Sequence, residues 1–175
     1  RIQARQHKVQ SWFLDMQLVM GYWGANTKRA YHHTAPVNAV YALHESLLML
    51  QDEGLEHAHQ RHWRNHLALV AGLEAMGLSM AVSPEHRLPQ LNLVSIPEGV
   101  DDAAVRVALL NDFDLEIGAG LGALAGKTWR IGLMGHSSCT RNVLFCLSAL
   151  ESVLTRQGAD VVQGVAQAAA EAAYA

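Results

Sequence analysis

Helical segments are followed by pairs of short strand-like runs along this chain of 175 residues, and that order restricts the folds it can adopt. Helices are predicted at Ser11–Tyr22, from Pro36 to about Leu50, at Leu55–Met76, from Asp101 or Asp102 to Leu110, and at Cys139–Thr155. Strand-like runs lie at Leu78–Val82, Leu91–Ile96, Leu115–Ile117 and Trp129–Met134. Because such elements bury their apolar faces on one another, the order predicts a small sheet covered by helices, of the α/β or α+β class. The Ala-rich segment Val161–Ala175 predicts a further, loosely attached helix.

The composition excludes several classes of protein. Half of the residues are hydrophobic and 17% are charged, which allows a buried core and argues against disorder. A net charge of −3 provides no basic field for nucleic acid. The apolar runs fall far below the roughly 18–20 residues that span a bilayer, and Arg1–Gln10 does not resemble a signal peptide. With two cysteines only, Cys139 and Cys146, a reduced cytoplasmic protein is predicted, with both thiols in the core.

One arginine lies in an otherwise apolar strand, Thr128–Gly135. Alternate residues of a strand share a face, so the predicted core face carries Trp129, Ile131 and Leu133. Arg130 lies on the opposite face, where a guanidinium needs an anionic partner. Its planar fork matches a carboxylate, which belongs either to a protein side chain or to a ligand.

The segment Tyr31–Pro36 immediately precedes a predicted helix, whose N-terminus carries unpaired N–H groups and a partial positive charge. Hydroxyl groups of Tyr31 and Thr34 beside that terminus would suit a phosphate or a carboxylate. The alternative is structural, with Thr34 as the N-cap and the aromatic side chains packed against the protein.

Two further patterns could carry chemistry. The Gly-rich stretch Gly118–Gly126 lacks the spacing of a dinucleotide-binding loop and indicates a flexible active-site loop between strands. His59, His62 and His66 share one helical face, as zinc ligands could. Because arginines, Gln60 and Asn65 surround them, this face is interpreted as solvated and no metal site is predicted.

Four motifs occur in order along the chain: YHHTAPVNAVYALHESLLMLQDEGLE, RLPQLN, FDLEIGAGLG and GKTWRIGLMG. In this series the chain resembles the C-terminal half of the alanine–glyoxylate aminotransferases, the group that includes serine–pyruvate aminotransferase. The resemblance extends from Ser11 to about Thr155. It implies a pyridoxal-phosphate (PLP) cofactor, the aspartate-aminotransferase fold, a homodimer, and a small, mostly antiparallel sheet covered by helices.

The resemblance also implies a division of the chain. Residues 1–34 would be the trailing part of a large cofactor-binding domain, and residues 35–50 the helix between domains. Residues 51–157 would form the small C-terminal domain, and residues 158–175 an Ala-rich tail.

Site roles follow from the same resemblance. Arg130 would hold the carboxylate of the amino-acid or oxo-acid substrate. Tyr31 and Thr34 would contact the PLP phosphate of the neighbouring subunit. The lysine that forms the Schiff base would lie upstream of this chain, so no catalytic residue is expected here and the chain alone is expected to be inactive. The three lysines that are present do not fit the role: Lys8, Lys28 and Lys127.

The reaction implied is transfer of an amino group from alanine or serine to glyoxylate or pyruvate. Ureidoglycine as donor is the alternative within the family, and the C-terminal VVQGVAQAAAEAAYA is faintly similar to the ends of the enzymes that use it. Those enzymes differ at the position of Tyr31, which favours alanine or serine. The alternative function that is not enzymatic is a non-catalytic module for ligand binding or dimerisation.

Overall fold

The computed structural model describes residues 1–22, 28 and 31–175. The chain divides into two compact units, Arg1–Asp52 and Glu53–Ala175. The first unit contains α1 (Met16–Val19) and α2 (Val37–Glu53), except for Glu53, which belongs to the second unit. The helix predicted at Ser11–Tyr22 is shorter because Asp15 caps α1 from outside, accepting a hydrogen bond from the Gln17 N–H. In the sequence, Gly21 and Gly24 lie at or just after the end of this predicted helix as residues that can end it, and Gly24 lies outside the described residues.

The second unit combines helices with one small sheet. Its helices and strands are α3 (Leu55–Ala75), β1 (Leu91–Ser95), α4 (Asp102–Phe113), β2 (Gly118–Ala119), β3 (Thr128–Gly132), α5 (Thr140–Arg156) and α6 (Ala166–Tyr174). The strand order is β1–β3–β2, and both pairings are antiparallel. The predicted mixed class, with a small antiparallel sheet and covering helices, is confirmed. Among the described helices, none is long and apolar enough to cross a membrane.

The core of the second unit forms between β3 and the helices. Trp129, Ile131 and Leu133 are buried, as the alternation in the strand predicts. Leucines at helical spacing on α3 and α5 complete the same apolar cluster, among them Leu69, Leu73, Leu147 and Leu150. This packing fixes β3 as the central strand and therefore fixes which face Arg130 occupies.

Two predicted strands differ from the structure. Leu78–Val82 forms a single bridge, between Met80 and Val94, and does not form a regular strand. Leu115–Ile117 is not a strand, because Asp114 adopts a left-handed conformation and the Leu115 N–H bonds to the Leu109 carbonyl, closing α4. The strand begins three residues later, so part of the predicted Gly-rich loop is β2.

The predicted C-terminal helix is present as α6, but the prediction that it is loosely attached is wrong. Ala166 and Ala170 on α6 are fully buried. A Cβ atom on Gly72 of α3 would lie 2.9 Å from the Ala166 carbonyl oxygen, so glycine permits this close approach. Small residues on both sides let two helices pack tightly without the large apolar side chains that mark a buried face in sequence.

Candidate functional site

The middle strand of the sheet places Arg130. Arg130 stands opposite Leu93 on β1 and opposite Gly118 on β2, so strands flank it on both sides. Its backbone is fixed by the ladder, and the buried Trp129 and Ile131 anchor the opposite face. The side chain is half-buried and projects from the face away from that core.

Strand β2 holds the guanidinium in a defined direction. The Nε of Arg130 donates to the Ala119 carbonyl at 2.7 Å. A Cβ atom on Gly118 would lie 3.1–3.3 Å from Nη2, Nε and Cζ of Arg130, so the guanidinium rests against a residue without a side chain. Because this bond uses only Nε, the terminal nitrogens Nη1 and Nη2 remain available to donate to the two oxygens of a carboxylate.

The alternative in which a protein carboxylate pairs with Arg130 is not found among the residues that the structure describes. Ion pairs do join other arginines to acids, for example Arg106 to Asp102 and Arg156 to Asp112. Within residues 1–22, 28 and 31–175, no Asp or Glu oxygen lies within 4.0 Å of the Arg130 guanidinium. A half-buried charge without such a partner is suited to an anionic ligand.

The first unit brings Tyr31 and Thr34 together just before α2. Their hydroxyl groups hydrogen bond to each other, and Tyr31 is 76% exposed. Tyr31 is therefore not packed in the way the structural alternative requires. The two hydroxyls form an accessible pair of donors and acceptors next to the start of a long helix.

Tyr22 shapes this segment and was not singled out from the sequence. Its hydroxyl accepts hydrogen bonds from the backbone N–H groups of His32, at 2.7 Å, and His33, at 2.6 Å. It donates in turn to the His33 carbonyl. No local pattern predicts this contact, because it joins residues ten or eleven positions apart. Tyr22 thus fixes the backbone between Tyr31 and Thr34.

The histidines considered as zinc ligands, His59, His62 and His66, have different hydrogen-bond partners in the structure. His62 Nδ1 donates to the Ala58 carbonyl while Nε2 accepts from the Gly135 N–H, which defines a neutral tautomer. His66 Nδ1 bonds to the Asn92 side-chain oxygen at 2.6 Å, and His59 accepts from the Trp63 indole. His62 and His66 are buried, so the interpretation of this face as solvated is wrong for both. No cluster of three metal-ligating side chains occurs in the part of the chain that the structure describes.

Burial of His66 makes folding sensitive to acid. Burial lowers the pKa of His66, although its bond to Asn92 opposes the shift. Below the ordinary value of 6.5 the unfolded chain takes up a proton that the folded chain refuses, so stability falls as pH drops and levels off below the folded pKa. We expect His66→Gln to make the free energy of unfolding less dependent on pH between 7.5 and 5.5, measured by urea denaturation. An unchanged slope would contradict this account, and His59→Gln on the exposed side of α3 is the control.

The two cysteines differ in their surroundings. Cys146 lies in the core, as predicted, and burial raises its pKa to about 12. Cys139 is only half-buried and precedes α5, so the prediction of a core position is wrong for this residue. Both thiols are free.

Comparison with solved structures defines the class of protein. The chain is similar to the ureidoglycine–glyoxylate aminotransferase of Bacillus subtilis, with a TM-score of 0.90 and 40% identity over 98% of this chain and 44% of that one. It is also similar to an alanine–glyoxylate aminotransferase of Nostoc sp., with a TM-score of 0.79 and 51% identity over 87% of this chain and 40% of that one. The fold is therefore that of an aminotransferase domain.

Comparison with curated sequences agrees. Alanine–glyoxylate aminotransferase of Felis catus is 38% identical over 89% of this chain and 38% of its own length. The chain thus spans about 40% of the length of the relatives it matches. Over this length the chain is similar to the C-terminal part of alanine–glyoxylate and ureidoglycine–glyoxylate aminotransferases. No model of a protein family matches the chain.

Proposed function

We propose that this chain is the C-terminal part of a PLP-dependent aminotransferase that moves an amino group from alanine or serine to glyoxylate, or to pyruvate. The observation that carries the proposal is the Arg130 guanidinium. It is oriented by the Ala119 carbonyl and has no carboxylate partner among the described residues. The relatives named for alanine–glyoxylate transfer support the same assignment.

Arg130 binds and orients the substrate in this proposal. Amino acids and oxo acids share one carboxylate, and the two free nitrogens of the guanidinium can donate to its two oxygens in parallel. Such a clamp fixes both the position and the plane of the carboxylate, which places the reacting carbon in one orientation. Donor and acceptor can use the same clamp because the two substrates bind in turn.

The donor pair at Tyr31 and Thr34 fits the phosphate of PLP. Two accessible hydroxyl groups lie beside the start of α2, where the helix dipole favours an anion. We infer that they hold the cofactor phosphate of a neighbouring subunit. The chemistry that bound PLP supplies is an electron sink for transfer of the amino group.

We place the lysine that bonds to the cofactor outside this chain. Lys8, Lys28 and Lys127 are all exposed. A lysine in such a role is enclosed in a desolvated or cationic pocket, and none of these three exposed side chains is enclosed in the structure. The 175 residues alone are accordingly proposed to be inactive.

The surface of α2 supports the proposed division into domains and the homodimer. No residue of α2 is buried, yet the helix carries many apolar side chains, including Val40, Tyr41, Leu43 and Leu47, each more than half exposed. An apolar surface of this kind is typical of a packing interface. We propose that residues 1–34 belong to the large domain, that residues 35–50 link the domains, and that residues 51–157 form the small domain.

The free thiols agree with a proposed cytoplasmic location.

The amino donor is tested by direct comparison in the full-length enzyme. Alanine and glyoxylate would give pyruvate and glycine, and serine would give hydroxypyruvate and glycine. We expect kcat/KM to be higher for alanine or serine than for ureidoglycine, with glyoxylate as acceptor in each assay. Ureidoglycine is the second candidate because of the Bacillus subtilis relative. Faster turnover with ureidoglycine would overturn the proposed donor, while absence of turnover with every donor would overturn the aminotransferase proposal.

A further inference from the structure

A polar cleft of about 490 Å³ lies between α3 and the start of α5. It shares no residue with the Arg130 site. Its wall carries two arginines and a histidine, at Arg61, Arg64 and His57, but one carboxylate, at Glu53. Because one acid cannot neutralise both arginines, the cleft has an excess of positive charge.

Arg61 and Glu53 form a fixed part of the wall. Arg61 binds both carboxylate oxygens of Glu53, with 2.8 Å between Nη2 and Oε2. Its Nη1 also donates to the carbonyls of Gly135, at 2.8 Å, and Ser138, at 2.7 Å. The charge of Arg61 is therefore balanced and its position is set, which joins α3 to the turn before α5.

Arg64 supplies the positive charge of the cleft that Glu53 does not neutralise. Its guanidinium lies 5.3 Å from the centre of the Tyr174 ring, and Nη2 donates to the Tyr174 carbonyl at 3.1 Å. Within the described ranges no carboxylate lies within ion-pair distance of it. The C-terminal helix α6 thus holds Arg64 in place while most of its hydrogen-bonding capacity stays free.

The remaining wall is polar, and one of its side chains is held by hydrogen bonds. Asn65 lines the cleft and is only 3% exposed. Its amide donates to the Ser138 hydroxyl at 3.0 Å, and its oxygen accepts from the Tyr174 hydroxyl at 2.7 Å. Thr140 lines the other side, and the first turn of α5 contains no acidic residue. Apart from Glu53, whose charge is balanced by Arg61, the residues lining the cleft include no acidic side chain.

We propose that this cleft binds free phosphate or a small phosphorylated ligand. Donors stand on two elements, α3 and α5, and therefore approach from different directions. A planar carboxylate is satisfied by one arginine fork, whereas a tetrahedral phosphate presents oxygens in several directions. The proposal does not depend on the aminotransferase assignment.

The alkylation rate of Cys139 can report on ligand binding in this cleft. Cys139 lines the cleft and is half-buried, whereas Cys146 is buried with a pKa raised to about 12. Neutral iodoacetamide should therefore alkylate Cys139 selectively, as intact mass and peptide mapping can verify. Inorganic phosphate in the cleft should slow this reaction, because the bound anion covers the sulfur and blocks access of the reagent. Potassium chloride and acetate at equal ionic strength should have little effect.

Two variants locate the effect at Arg64. Arg64→Gln should raise the phosphate concentration that gives half-maximal protection by about tenfold or more, since a charge-assisted partner is lost. Arg64→Lys, which keeps the charge but not the fork, should fall between it and the parent chain. Arg156→Gln is the matched control. Like Arg64, Arg156 lies beside an aromatic ring, 5.8 Å from the centre of Phe113, but it pairs with Asp112 and does not line the cleft.

The outcomes are distinct. Protection by phosphate that Arg64→Gln weakens and Arg156→Gln retains would support the site. Equal protection by chloride or acetate, or protection that is the same in Arg64→Gln, would overturn it. The thermal midpoint of each variant, measured in parallel, verifies that the labelling rates refer to folded protein.

Discussion

Replacing Arg130 by glutamine in the full-length enzyme is expected to lower kcat/KM for glyoxylate by roughly 10- to 150-fold, the equivalent of losing a charged hydrogen-bonded pair worth about 1.5–3 kcal/mol. The proposed clamp would hold the carboxylate both in the bound substrate and in the transition state. Its loss should therefore appear mainly as a higher KM, with a smaller effect on kcat. Steady-state kinetics with glyoxylate varied at saturating alanine measures both parameters.

Arg156→Gln is the control for this experiment. Arg156 is an exposed arginine whose partner is Asp112 on α4. Loss of an exposed pair costs little stability and should leave kcat/KM near the parent value. Similar losses in both variants would mean that the Arg130 effect is not specific to the proposed carboxylate clamp.

Gly120→Ala should be the most destabilising small substitution in the Gly-rich segment, costing about 2–3 kcal/mol or more in the free energy of unfolding. A Cβ atom at this position would lie 2.1 Å from the Leu124 carbonyl oxygen and 2.7 Å from the Thr128 hydroxyl. The first contact is with backbone, so a rotamer change cannot relieve it. The Gly120 N–H also bonds to the Thr128 carbonyl at 2.8 Å, which prevents the segment from moving away.

Gly132→Ala is the matched control for this substitution. The nearest atom to a Cβ at Gly132 is Met134 Cε at 4.0 Å, and Gly132 lies in the same sheet, on β3. Its effect should stay within about 0.5 kcal/mol. Chemical denaturation of the two variants side by side gives the comparison, and equal stabilities would show that the turn after β2 tolerates a side chain.

The central strand could be read from the sequence because its signal is local. Alternation with a period of two placed Trp129 and Ile131 in the core and Arg130 on the other face, and the structure agrees. A strand determines the face of each residue by itself, without reference to the rest of the fold. The helix caps are local in the same way, as the bond from the Ala104 N–H to the Asp101 side chain shows.

The sequence does not predict the contacts around Arg130 or the docking of α6, because both join residues that are distant in sequence. The contact between the Arg130 guanidinium and Gly118 and Ala119 joins residues eleven or twelve positions apart through strand pairing. The docking of α6 depends on Gly72 and on alanines, which carry little hydrophobic signal although they permit the closest packing. Both contacts depend on tertiary geometry. The same geometry leaves Arg130 without a carboxylate partner among residues 1–22, 28 and 31–175, although the sequence allowed for one.

The most direct test of the account compares two acceptors that differ in the carboxylate. Glyoxylate carries the group that Arg130 is proposed to bind, whereas acetaldehyde offers a similar aldehyde without it. In the parent full-length enzyme, kcat/KM with alanine as donor should favour glyoxylate strongly. In Arg130→Gln that preference should shrink by roughly 10- to 150-fold, because only the carboxylate-bearing acceptor loses a partner. An unchanged preference would contradict the assignment of Arg130 as the substrate-binding residue.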